Sequence, residues 1–221
     1  VSKQGELVLP LSAHNGNALG SLLRSYQNNL MLKNTDPHQL CLSAACGRAC
    51  FPFRAVAFGD SQEDLAANID YILNERKYIK DINERIGITW LFSGQGAQFP
   101  GMATSLLRYP LFRKHIDKCA EIVREVAEID LLNLITNPDA NLLDTRLSQP
   151  ALFSVEYSLA KMYQDLGMEP DIVIGHSLGE LSAACVSEIF DLEVMLPFVC
   201  SRAQLMSTIS KDGAMLSANI S

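Results

Sequence analysis

The segment Gly175-His176-Ser177-Leu178-Gly179 constrains this chain more than any other. It follows Asp171-Ile172-Val173-Ile174, a short apolar run that reads as a buried strand. It opens Leu178 to Val186, which reads as a helix. A G-x-S-x-G between strand and helix is the setting of a nucleophile elbow, where a serine is lifted above a sheet on a tight turn. The flanking glycines leave room for the turn and for a substrate. The N–H of Leu178 points into the same space from a helix N-terminus, where the helix dipole favours negative charge. The competing reading is a glycine-rich helix start without chemistry. The strand-turn-helix setting weighs against it.

The remaining pattern alternates strands with helices. Leu7-Val8-Leu9-Pro10-Leu11 reads as a short buried strand, and Ala18 to Leu32 repeats apolar residues at helical spacing. Asp36 caps a further helix with Pro37 in its first position, running to about Gly47. Phe53 to Phe58 is β-like, and a helix to about Asn74 follows Ser61. Residues 1–76 thus form a small β-α-α-β-α unit. The charged stretch Glu75 to Arg85 lacks a core pattern, which marks 77–87 as a connector. From residue 88 the pattern restarts with the strand Ile88–Phe92. Two helices follow, Ser105–Tyr109 running on to Leu111–Ala127, then a loop rich in Asn, Asp and Pro. Helices are expected at Ala151–Leu166, Leu178–Val186 and Leu192–Ile209, and a strand starts at Ala214–Ala218. The expected class is α/β, with a parallel sheet covered on both faces.

Composition closes off several function classes. The 221 residues carry a net charge of −7, which opposes sequence-independent binding to nucleic acid. No apolar run reaches the roughly 18 residues of a membrane helix, and the N-terminus is no signal peptide. A cytoplasmic setting is expected. The first residue is Val1, which reads as a piece cut from a longer chain. Mean hydropathy is +0.09, so part of the surface is expected to face neighbouring protein. Of six cysteines, Cys185 and Cys200 sit in apolar helical patterns and read as small hydrophobes. Cys41, Cys46 and Cys50 lack a C-x-x-C pair and a fourth ligand at the usual spacing, so no metal site is expected.

Four further positions bear on chemistry. His176 adjoins the serine, but neighbours on an elbow point in different directions, and a base usually arrives from a distant segment. His14 and His38 lie in the first unit, His115 lies on an amphipathic helix, and no histidine follows Ser177. A helix from Leu178 to Glu188 runs about 16 Å, and a helix from Asp191 packed antiparallel returns Arg202 to the level of Ser177. A guanidinium there suits a substrate with a free carboxylate, and a surface arginine near a helix end is the alternative. Gln95, after the strand Ile88–Phe92, stands where strand ends of a parallel sheet converge, so its backbone N–H can be a second oxyanion donor. A phosphate-cradling loop is the rival there, without the lysine and serine of a P-loop.

Taken together, FSGQGAQFPGM (Phe92–Met102), LSQPALFSVEYSLA (Leu147–Ala160), GHSLGE (Gly175–Glu180), SRAQLM (Ser201–Met206) and GAML (Gly213–Leu216) resemble the acyltransferase domain of modular polyketide synthases. Residues 1–76 resemble the linker domain between a ketosynthase and its acyltransferase. The likeness is carried by LVLPLSAHNGNAL (Leu7–Leu19), Gly47-Arg48 and Phe53-Arg54-Ala55. The resemblance implies that residues 88–221 are the N-terminal part of an α/β-hydrolase-like large subdomain. It implies transfer of a malonyl-type unit from coenzyme A through an acyl-Ser177 to the phosphopantetheine thiol of an acyl carrier protein. By the same resemblance Gln95 and Leu178 form the oxyanion hole. Arg202 binds the free carboxylate, Gln149 and His176 stand on the substrate side, and Leu178 leans toward malonyl. No bound cofactor is implied. The implied partners are acyl-CoA, the carrier protein and the adjacent ketosynthase, in a homodimeric parent. The family's catalytic histidine falls beyond Ser221, after a ferredoxin-like subdomain, so this segment alone is expected to be nearly inactive. A serine esterase with the same elbow and a structural scaffold of a megasynthase are the alternatives.

Overall fold

A computed structural model of the chain describes residues 7–32, 35–75 and 87–209. The chain divides into two units, Val1–Ile86 and Gly87–Ser221. In the first, β1 (Leu7–Ala13) is followed by α1 (Gly16–Leu30), α2 (Pro37–Cys46), β2 (Phe53–Gly59) and α3 (Gln62–Glu75). Local chemistry sets these boundaries. The Asn15 side chain accepts the Ala18 N–H at the start of α1, and the Asp36 carboxylate caps α2 ahead of Pro37. Leu7, Leu9, Leu11 and Ala13 turn to the core from alternate positions of β1, whereas Val8 is 48 % exposed. The strand expected to be buried is therefore buried on one face only.

β1 and β2 pair antiparallel, with Leu9 opposite Ala57 and Leu11 opposite Ala55. The expected parallel arrangement does not hold in this unit. One crossover helix returns a chain to the edge where it started. Two helices, α1 and α2, deliver it to the opposite end instead.

The second unit holds β3 (Thr89–Phe92), a 3₁₀ turn at Leu106–Arg108, α4 (Pro110–Ala127), α5 (Leu131–Thr136), α6 (Thr145–Asp165), β4 (Ile172–Gly175), α7 (Leu178–Val186) and α8 (Leu192–Ser207). β3 and β4 pair parallel, with Phe92 opposite Gly175. Helix α6 runs through the centre of the unit. Phe112, Ile116, Cys119 and Val123 of α4 pack on its layer as a stripe at helical spacing, all fully buried. Small residues on α6, including Ser148, Ala151, Ser154 and Ser158, let its neighbours approach closely.

Two expectations need correction here. Helix α6 starts at Thr145, capped by the Asp144 side chain, and continues through Pro150. The Asn/Asp/Pro segment read as a loop thus contains α5 and the first turns of α6. The β3–β4 pair is covered on one face among the described residues. Leu91, Ile172 and Ile174 on the other face are 76 %, 56 % and 52 % exposed. The expected strand at Ala214–Ala218, the GAML segment and most of the 77–87 connector lie outside the described residues.

All six cysteines are free. Burial pushes the thiols of Cys119 and Cys185 up to about 12, which keeps them protonated and inert. Among the described residues no group of three His, Cys, Asp or Glu is arranged to hold a metal, and no helix is long and apolar enough to cross a membrane.

Candidate active site

Ser177 stands at the end of β4 with φ 54° and ψ −111°. A residue with a Cβ rarely adopts that combination. It matches the first central position of a type II′ turn, which glycine dominates. The turn is closed by the Gly179 N–H donating to the His176 carbonyl at 2.9 Å. Ser177 is exposed, and Leu178 behind it is fully buried, so the core anchors the turn while the hydroxyl stays outside.

The two glycines of the motif are explained by proximity. A Cβ on Gly175 would run into the Gly179 backbone, and a Cβ on Gly179 would run into the carbonyls of Phe92 and Ser93. Their absence lets α7 begin directly against the ends of both strands. Gly94 brings the loop after β3 to the same place. A Cβ there would lie 2.7 Å from His176 Nδ1 and 3.3 Å from Ser177 Cβ. His176 thus packs on the Gly94 loop rather than reaching for the serine.

Gln95, the next residue, is joined to Arg202 by a chain of side chains. Gln95 Nε2 donates to Thr145 Oγ1 at 3.1 Å, and Gln149 Nε2 donates to Gln95 Oε1 at 3.1 Å. Arg202 Nη1 then donates to Gln149 Oε1 at 2.5 Å. Gln149 is fully buried, so both ends of its amide are spoken for inside the protein. Arg202 is half-buried, and no carboxylate among the described residues pairs with it. Its remaining N–H groups are available to an anion. The backbone N–H groups of Gln95 and Leu178 likewise find no acceptor among the described residues.

The route by which Arg202 arrives differs from the expected one. Helix α8 packs along α6 and only lightly on α7. Its buried stripe of Leu192, Met195, Leu196, Val199, Cys200 and Ala203 faces the α4–α6 layer. Arg202 meets the loop of Gln95 through Gln149 of α6, not through a pairing of α8 with α7.

Of the remaining histidines, His115 of the same unit stays apart from this cluster. His115 Nε2 lies 2.9 Å from Asp165 Oδ2, about 24 Å along α6 from Gln149 at 1.5 Å per residue. The carboxyl of Asp165 is held below the usual range by His115 and Lys114. In the first unit the His14 and Phe51 rings lie tilted at 48° with centroids 3.9 Å apart, and His38 sits in the first turn of α2.

Reading the sequence missed Glu156. Its Oε1 accepts from the Ser93 N–H at 2.8 Å and the Ser93 hydroxyl at 2.6 Å, and its Oε2 accepts from the Ser182 hydroxyl at 2.7 Å. Burial pushes its carboxyl above the ordinary carboxylate range, and the three hydrogen bonds pull the other way. The signal was present in the spacing. Glu156 follows Gln149 by two turns, on one face of an apolar helix, once α6 is started at Thr145.

A strained serine, two backbone N–H groups without an acceptor among the described residues and a guanidinium tied through Gln149 to the loop beside that serine suit acyl transfer, and the family model described as "Acyl transferase domain" matches residues 89–220. The chain belongs to the acyl transferase domain family. It is of the polyketide synthase type. It is 34 % identical over 230 residues to the phenolphthiocerol synthesis polyketide synthase Pks15/1 of Mycobacterium marinum, a match covering 97 % of this chain and 11 % of that protein. The solved acyl transferase domain of ZmaA superposes with a TM-score of 0.86 at 28 % identity, over 93 % of this chain and 49 % of that one. The malonyl-CoA:ACP transacylase of Synechocystis sp. PCC 6803 superposes with a TM-score of 0.51 at 32 % identity, over 56 % of this chain and 41 % of that one. The chain thus spans about half of the ZmaA domain and a small part of the curated synthase.

Proposed function

We propose that this chain carries the nucleophile, oxyanion donors and carboxylate clamp of an acyltransferase that loads a malonyl-type unit from coenzyme A onto an acyl carrier protein. The observation that carries the reading is the chain Arg202–Gln149–Gln95, which ties a guanidinium without a counter-ion among the described residues to the loop abutting Ser177. An esterase elbow has no use for that clamp.

Ser177 Oγ attacks the thioester carbonyl. Its proton passes to a general base, a part that His115, held against Asp165 at the far end of α6, does not supply. The oxyanion of the tetrahedral intermediate is held by the N–H groups of Gln95 and Leu178, the latter at the positive end of α7. The C–S bond then breaks, and coenzyme A leaves with the proton. The ester on Ser177 is next attacked by the phosphopantetheine thiol of the carrier protein, which takes the acyl group and returns the proton to the serine. Throughout, Arg202 holds the free carboxylate by two parallel hydrogen bonds, which fixes the carbonyl over the hydroxyl. Leu178 leans toward malonyl, and His176 lines the entry. The first unit serves as the linker between a ketosynthase and this domain in a homodimeric synthase, a reading supported by the match to Pks15/1 across 97 % of the chain. The 221 residues alone transfer slowly, since a triad lacking its base keeps only what the oxyanion hole and binding provide.

Incubating the intact protein with [2-¹⁴C]malonyl-CoA and mapping the label tests this. Label on the peptide bearing Ser177, lost in S177A and chased by carrier protein, is the expected result. Turnover of simple esters without transfer to carrier would replace the reading with a hydrolase.

A further inference from the structure

We propose that Glu156 is the positioning residue that holds the two donors of the oxyanion hole in register, by bridging Ser93 and Ser182. The inference rests on the acyl-transfer reading above.

The two donors belong to different elements. One is on the loop that leaves β3, at Gln95. The other is the first N–H of α7, at Leu178. Neither element alone fixes the distance between them, and that distance decides whether both reach one oxygen. Glu156 touches both elements. Ser93, which it grips by backbone N–H and hydroxyl, leads into Gly94-Gln95. Ser182, whose hydroxyl it accepts, lies one turn beyond Leu178 on the same helix face. Ser182 is fully buried, and Glu156 is its acceptor. The bridge therefore runs from loop to α6 to α7 through one rigid carboxylate.

Gln149, on the same face of α6, grips the Gln95 side chain of the same loop. The loop is thus pinned to α6 before the donor by Glu156 and at the donor by Gln149. A carboxylate suits the first task because bonds to an ionised acceptor are roughly twice as strong as neutral ones. The role is geometric and not electrostatic, since a negative charge near a developing oxyanion gives no stabilisation by itself. A glutamine at 156 keeps an acceptor for Ser93 and offers a donor to the Ser182 oxygen. It should therefore preserve the bridge.

The test uses the intact protein with malonyl-CoA ¹³C-labelled at the thioester carbonyl. Loss of one oxyanion donor costs about 10²–10³ in kcat, which bounds the effect of misaligning one. E156A should lower the kcat of acyl-enzyme formation by about ten-fold or more within that bound, with KM changed less than about two-fold. The infrared carbonyl band of the acyl-enzyme should move to higher wavenumber as its hydrogen bonds lengthen. E156Q should restore both kcat and the band. If E156A does not fold, S182A reads the same bridge from the α7 side, with a smaller loss and a band shift of the same sign. A variant that melts lower yet keeps wild-type kcat and band, in E156A or in S182A, overturns the proposal, and so does an E156Q enzyme as impaired as E156A. Absence of any acyl-enzyme in the wild type would instead refute the acyl-transfer reading and this inference with it.

Discussion

Replacing Ser177 by glycine should make the fold more stable than replacing it by alanine, although both remove the nucleophile. At φ 54° and ψ −111° the serine occupies backbone space that a Cβ disfavours. Residues held in such regions store about 1–3 kcal/mol. Alanine keeps the Cβ and the strain, and glycine releases it. Glycine also loosens the unfolded chain, which costs about 0.4–1 kcal/mol. Taken at mid-range, about 2 against about 0.7 kcal/mol, the balance favours S177G over S177A by about 1.3 kcal/mol, or roughly 9-fold in the folding equilibrium at about 1.4 kcal/mol per ten-fold. Trp90, the single tryptophan, lies half-buried on β3 beside the elbow and reports unfolding of this unit by fluorescence. Urea titrations of the two variants should give the same m and a higher midpoint for S177G. Equal midpoints, or a lower one for S177G, would show that the turn at Ser177 is relaxed. The reasoning that links its geometry to a raised hydroxyl would then fail.

Two further outcomes follow from the site. Arg202→Ala removes charge-assisted hydrogen bonds worth about 1.5–3 kcal/mol, so malonyl loading should fall about 10- to 150-fold in kcat/KM. Acetyl loading, which has no carboxylate to grip, should change less than about three-fold. Equal losses on the two substrates, measured with labelled acyl-CoA in the intact protein, would remove Arg202 from carboxylate binding. Glu156 carries a pH signature. Its carboxyl is raised in the fold above the unfolded value of about 4.3, so its contribution is fully present below that value and is lost as pH rises through the folded value. E156Q does not titrate. The stability of E156Q relative to wild type should therefore grow with pH across that window and level off above it. Urea midpoints of both proteins as a function of pH check this, and a stability of E156Q that falls relative to wild type with rising pH would contradict the raised carboxyl.

Legibility of this chain in its sequence follows the range of the interactions involved. The elbow is readable because every determinant is local: an apolar strand, two glycines that clear the start of α7, and a serine between them. The helices of the first unit are readable for the same reason, through Asn15 and Asp36 as caps and leucines at helical spacing. The direction of β2 is not local. It depends on how α1 and α2 pack, and an even number of helices reverses the strand that one helix would have made parallel. Pro150 hid the most consequential element. A proline usually marks a helix start, because its missing N–H is tolerated only in the first turn. Here Asp144 caps α6 well before it, and the helix carries through on the packing of Leu152, Phe153 and Val155 against the core. Starting the helix after Pro150 leaves Gln149 in a loop and breaks its register with Glu156. Starting it at Thr145 puts both on one face, where each meets the loop after β3. The polar wiring of the site is therefore a property of one helix boundary. Tertiary packing sets that boundary against the local preference of a single residue.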